Sequence, residues 1–243
     1  MAHEVFRGGA GPAVLILHEL PGMTPQFWRF AHWVRGAGFS VYAPDLFSRP
    51  GKVTGKIGLV SAALKVCISR EIHMLAANRS SPVSGWLRAL ARRASGECGG
   101  KVGVVGMCMT GNFALSLVLE DCVAAPVASQ PSMPAPLRPG ARAALHLSAD
   151  EKNALRNRSD VPVMALRFAG DRLCAAARFN ELEKLLGARL EAHVLPDAAA
   201  NPDGNPKPHA VLTADLIDAA GEPTREAADR VIAFLGERLK PAR

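Results

Sequence analysis

The segment Val102-Gly103-Val104-Val105-Gly106-Met107-Cys108-Met109-Thr110-Gly111 constrains this chain more than any other. It begins as a β-branched apolar run, the pattern of a buried strand. A Gly-x-Cys-x-x-Gly turn follows, and residues 112–119 then read as a helix. So abrupt a change from strand to helix forces the central residue into a strained backbone conformation. Side chains beside it would clash, which is why glycines flank it. Cys108 is thereby lifted to the end of a sheet, at a helix N-terminus whose dipole favours a thiolate. This is the pattern of a nucleophile elbow, with cysteine where serine is more common. Taken alone, the match is equally compatible with a cysteine that only fills space in a core.

The rest of the chain supplies the layers that such a turn needs. Ala13-Val14-Leu15-Ile16-Leu17-His18 is a continuous apolar run, as in a strand covered on both faces. A helix is expected over 25–37, with Pro25 in its first turn and glycines at its end. Strands are expected over 39–43, 102–105, 123–128, 161–167 and 190–195, and further helices over 59–78, 83–94, 174–186 and 224–239. Ser148 and Glu151 have capping-box spacing and start a helix reaching 157. Segments 129–140 and 197–208 are Pro-rich loops, and Leu145-His146-Leu147 fits no element. This alternation gives an α/β fold, a mostly parallel central sheet with helices on both faces. No repeat or linker divides the 243 residues, so one domain over 1–243 is expected.

Composition narrows the partners. No apolar stretch is long enough to span a membrane. The first residues lack the apolar core of a signal peptide, and the five cysteines show no CxxC spacing. A cytoplasmic protein without a structural metal is expected, with its thiols reduced. The net charge of +7 raises the question of nucleic acid. However, Arg88, Arg92 and Arg93 share a helical spacing that suits a solvated face, and aromatics are only 5%, with no stacking platform. The charge instead suits steering of anionic small molecules. Nothing in the sequence sets the number of subunits.

A nucleophile needs a base and an acid that orients it. Asp171 follows the strand at 161–167, and His209 lies in the loop after the strand at 190–195. Cys108, Asp171 and His209 therefore occur in the order nucleophile, acid, histidine, each beyond the C-terminal end of a strand. His3, His32, His73 and His193 lie away from that edge, and His18 is placed to support the turn that follows it. That turn is His18-Glu19-Leu20-Pro21-Gly22. In an elbow of this kind, the backbone N–H groups of Leu20 and Met109 would form an oxyanion hole. Glu19 is either a solvent-facing turn residue or a partner that alters protonation of the Cys108 thiol.

The quoted pieces, together with Tyr42-Ala43-Pro44-Asp45-Leu46-Phe47 and Gly170-Asp171-Arg172, resemble the dienelactone hydrolase family of α/β-hydrolases. The resemblance implies Cys108 as nucleophile, Asp171 and His209 as its partners, and Glu19 as the group that helps activate the thiol. It implies hydrolysis of a small-molecule lactone or activated ester, without a cofactor. Two departures stand out. Thr110 occupies a position where the family usually has glycine. No arginine follows His209 to hold a substrate carboxylate, and Arg70 is the candidate replacement. Two other readings are a catalytically weak small-molecule binder or regulator, and a thiol redox sensor in which Cys174 or Cys67 resolves an oxidised Cys108.

Overall fold

The chain is described from a computed structural model, over residues 3–46, 82–132 and 142–240. The helix expected over 59–78, Arg70 and Cys67 lie outside the described residues.

Seven strands form one sheet: β1 (Val5–Gly8), β2 (Ala13–Leu17), β3 (Ser40–Pro44), β4 (Val102–Met107), β5 (Val123–Ser129), β6 (Val163–Phe168) and β7 (Leu190–Leu195), in the order β1-β3-β2-β4-β5-β6-β7. β1 pairs antiparallel with β3, and every other pairing is parallel. The helices are α1 (Pro25–Gly36), α2 (Pro82–Cys98), α3 (Gly111–Ser116), α4 (Ala149–Asn157), α5 (Ala176–Leu186) and α6 (Pro223–Leu239). None of the described helices is long and apolar enough to cross a membrane.

The period-2 geometry of a strand explains the two cores. Val14 and Ile16 of β2 face one side, packing with Phe27, Phe30 and Val34 of α1 and Phe234 of α6. Ala13, Leu15 and Leu17 face the other, with Leu87 of α2 and Phe113 of α3. Both faces being apolar, the strand reads as an uninterrupted hydrophobic run. The chain leaves β2 toward β3 on one side and then crosses to β4 on the other. The crevice at the C-terminal ends of β2 and β4 is therefore the topological switch point, where ligands bind in open α/β sheets.

Some elements differ from expectation. β1 is an additional strand; its Val-Phe-Arg-Gly sequence shows its role only through its pairing with β3. α2 runs on to Cys98, past the expected end at 94. The helix expected over 112–119 is a 3-10 turn (Cys108–Thr110), the six residues of α3 and a second 3-10 turn (Leu117–Leu119). α5 starts at Ala176, because the backbone N–H of Cys174 is held by Asp171 instead. The Ser148–Glu151 capping box is present at α4.

Candidate active site

β4 delivers Cys108 to the switch point, where its φ is +56°. A non-glycine residue there is strained and persists only when its surroundings hold it. Gly106 makes room for the turn: a Cβ on it would lie 2.2 Å from the Thr110 carbonyl oxygen. Thr110 is fully buried, and its departure from glycine has a structural purpose. Its hydroxyl accepts from Met107 N–H at 2.8 Å and lies 2.9 Å from the Leu17 carbonyl oxygen and 2.8 Å from that of Met107. The ends of β2 and β4 are thus tied together beneath the elbow. On the other side, Ser132 N–H donates to the Cys108 carbonyl at 3.1 Å.

Asp171 sits in the turn after β6. Its Oδ1 accepts from Leu173 N–H at 2.8 Å and Cys174 N–H at 3.1 Å, which fixes its orientation. Its Oδ2 accepts from His209 Nδ1 at 2.7 Å. A carboxylate on Nδ1 leaves Nε2 as the basic nitrogen. Nε2 is buried, and Cys108 is the group that most raises the affinity of the ring for a proton. Burial pushes the imidazole pKa down, but the sulfur and Asp171 outweigh it, and the ring titrates well above its usual value. Cys108, Asp171 and His209 are therefore brought to one edge, as their order in the chain implies.

Glu19 is buried rather than solvent-facing, with 8% exposure. Its carboxyl group accepts from Gln130 Nε2 at 2.9 Å and is hydrogen-bonded to the Thr213 hydroxyl. Those bonds bypass the Cys108 sulfur, although both residues line the same cleft. Desolvation raises the Glu19 pKa; hydrogen bonds from Thr213 and Gln130 and the charge of His209 oppose it without cancelling it, and Asp215 adds to the rise. A carboxyl raised above its unfolded value stabilises the fold fully below about pH 4.5, and that contribution is lost as pH rises through the folded pKa. Glu19→Gln is therefore expected to be more stable than wild type at pH 8, by on the order of 1 kcal/mol. The gap should close toward pH 4, measured by urea denaturation at each pH. Equal stability of the two proteins at every pH would refute a raised Glu19.

The cleft measures about 480 Å³, and its lining includes Glu19, Leu20, Cys108, Leu173, Lys207 and His209. Leu20 lines it, and Met109, the other position expected to supply an oxyanion amide, is buried directly after Cys108 in the turn. Lys207 is the one Lys or Arg in the lining among the described residues. No group of His, Cys, Asp and Glu among those residues is arranged to hold a metal. His18 supports the turn as expected: Nδ1 donates to the Glu19 carbonyl and Nε2 accepts from Leu46 N–H, both at 3.0 Å.

Three residues of the site give no signal in the sequence. Asp215 is fully buried and accepts from the backbone N–H groups of Asn205, His209 and Ala210 and from Asn205 Nδ2, at 2.6–2.8 Å. It organises the loop that carries His209. Arg178 of α5, almost fully buried, donates to the Pro131 carbonyl at 2.7 Å and so holds the loop after β5. Ser132 in that loop places its Oγ 3.1 Å from the Cys108 sulfur. Cys174 is fully buried, and desolvation pushes its thiol up to about 12, which leaves it a poor resolving thiol for a redox sensor.

A family model for the dienelactone hydrolase family matches residues 5–237. Among curated proteins, no sequence matches. Several solved structures share the fold. The dienelactone hydrolase from Anabaena variabilis superposes with a TM-score of 0.57 at 18% identity, over 96% of this chain and 88% of that one. A monoacylglycerol lipase from Paleococcus ferrophilus superposes at 0.60 and 15% identity, over 96% and 100%. A cold-adapted esterase from an Arctic intertidal metagenomic library gives 0.56 at 17% identity, over 96% and 85%.

Proposed function

The chain belongs to the dienelactone hydrolase family of α/β-hydrolases, and from that membership we propose that it hydrolyses a lactone or activated carboxylic ester through an acyl-enzyme on Cys108. The observation that carries this reading is the 2.7 Å pair between His209 Nδ1 and Asp171, with the free edge of the imidazole turned to a strained cysteine in one cleft. His209 Nε2 takes the thiol proton first, and the resulting thiolate attacks the carbonyl. The backbone N–H groups of Leu20 and Met109 receive the developing oxyanion. The alkoxide or enolate leaves with the proton from His209. Water, deprotonated by His209, then attacks the thioester, and the acid product departs. Glu19 acts on this machinery through Thr213, which belongs to the same loop system as His209, and through its charge on the ring. A thioester is a stable intermediate, so activated esters and enol lactones suit the site better than amides. The reading needs no cofactor. Free thiols at Cys98, Cys108, Cys122 and Cys174 suit a reducing compartment such as the cytoplasm.

Intact-mass measurement after rapid quench, across a panel of lactones and 4-nitrophenyl esters, tests the proposal. An acyl adduct mapped to Cys108 and consumed with time is expected. Absence of both adduct and hydrolysis across the panel would overturn it. Lys207 offers a carboxylate-bearing substrate its counter-charge in the cleft. Lys207→Ala is expected to raise KM for a 4-nitrophenyl ester carrying a terminal carboxylate by about threefold, the scale of an exposed ion pair. KM for 4-nitrophenyl acetate should stay unchanged; equal effects on both esters would rule out charge recognition.

A further inference from the structure

The Cys108 sulfur has one well-aligned hydrogen-bond partner among the described residues, and it is not the base. Ser132 Oγ lies 3.1 Å from it, close for a bond involving sulfur. Ser132 is 1% exposed, so water does not compete for its hydroxyl. Its backbone is held on both sides: N–H donates to the Cys108 carbonyl at 3.1 Å, and its carbonyl accepts from Asn112 Nδ2 at 3.0 Å. The preceding residue, Pro131, is clamped through its carbonyl by the buried Arg178 and packs against Gly111. The hydroxyl is thus delivered to the sulfur by a backbone held in place at Pro131 and Ser132, against the turn of the elbow.

We propose that Ser132 is a further catalytic residue of this site, donating its O–H to the Cys108 sulfur whenever that sulfur carries negative charge. The proposal rests on Cys108 being the nucleophile. The sulfur is anionic at two moments. Before acylation, its proton resides on His209 and the S–C bond has not formed. In deacylation, water has lost a proton to His209 and formed the new O–C bond; the tetrahedral intermediate then collapses, the C–S bond breaks and its electron pair returns to sulfur. Ser132 keeps its proton throughout and supplies only a charge-assisted hydrogen bond, the stronger kind. In the thioester itself the sulfur is neutral and a poor acceptor. The contact therefore favours the transition state of deacylation over the acyl-enzyme, the condition for accelerating that step.

Ser132→Ala removes the donor and leaves no buried polar group unpaired, because the sulfur remains half-buried at the cleft. Two readouts separate a donor from a spacer. The pH profile of Cys108 alkylation by iodoacetamide should move up by about one unit in Ser132→Ala. The acyl-enzyme formed from a 4-nitrophenyl ester should persist about tenfold longer in rapid-quench mass spectra, with the thermal midpoint unchanged within a few degrees. Ser132→Thr, which retains the hydroxyl, should restore both. An Ala variant with the wild-type alkylation profile and acyl-enzyme lifetime would overturn the role of Ser132. Failure of the wild type to acylate at Cys108 would instead refute the nucleophile, a separate outcome.

Discussion

Cys108→Ala is expected to lower hydrolysis of a 4-nitrophenyl ester by a factor of about 10³ or more, to a residue supported only by binding and the oxyanion amides. Cys108 is the group that His209 activates in the proposed mechanism, so the loss should fall in kcat. The cost to the fold should be limited to about 1–3 kcal/mol, because the buried Ser132 hydroxyl loses the sulfur as its partner. Alanine meets the same backbone penalty at φ +56° as cysteine does, and the buried clamps around the turn use Thr110 and Ser132 rather than the sulfur for support. Cys108→Gly sharpens the point. Glycine relaxes the left-handed conformation and is expected to be more stable than the alanine variant by about 1 kcal/mol in urea denaturation, with turnover equally abolished. A glycine variant that is less stable than the alanine variant would refute the strain.

Asp171→Asn is expected to cost about 10³-fold to 10⁴-fold in kcat with little loss of stability. Asparagine retains an oxygen for the Leu173 and Cys174 N–H groups, so the turn after β6 keeps its cap. The other arm then presents N–H₂ to His209 Nδ1 in place of a carboxylate. The ring must accept there, which puts its proton on Nε2 and removes the base. Because Asp171 also holds the imidazole pKa up, the variant ring should titrate lower, a change that NMR of the His209 ring can follow. Activity near wild type in Asp171→Asn would remove Asp171 from the proposed mechanism.

Cys108, Asp171 and His209 are legible in the sequence as candidates because each stands beyond an apolar run. Strand ends are where periodicity breaks, and the elbow glycines mark one of them. His18 is legible for the same reason, as the first polar residue after β2. Glu19, its neighbour, could be read either way, since burial of a turn residue is decided by what packs on it. Here Gln130 and Thr213, from two distant loops, close over it. Asp215, Ser132 and Arg178 share that limitation. Each acts through contacts with residues far away in the chain or through backbone groups, and neither leaves a periodic trace. β1 escapes notice because a four-residue edge strand has too few residues to show alternation.

Asp215 also bears on how such a site can change. One carboxylate fixes Asn205 at one end of a short arc and His209 with Ala210 at the other. Between those anchors stand Pro206, Lys207 and Pro208, and Lys207 faces the cleft. The cleft wall at Pro206 and Lys207 is thus mechanically separated from the anchor that holds His209. Replacements within the arc can alter which molecules enter while His209 keeps its place. Under the proposed mechanism, a lineage carrying this loop can change its substrates one residue at a time without passing through an inactive form.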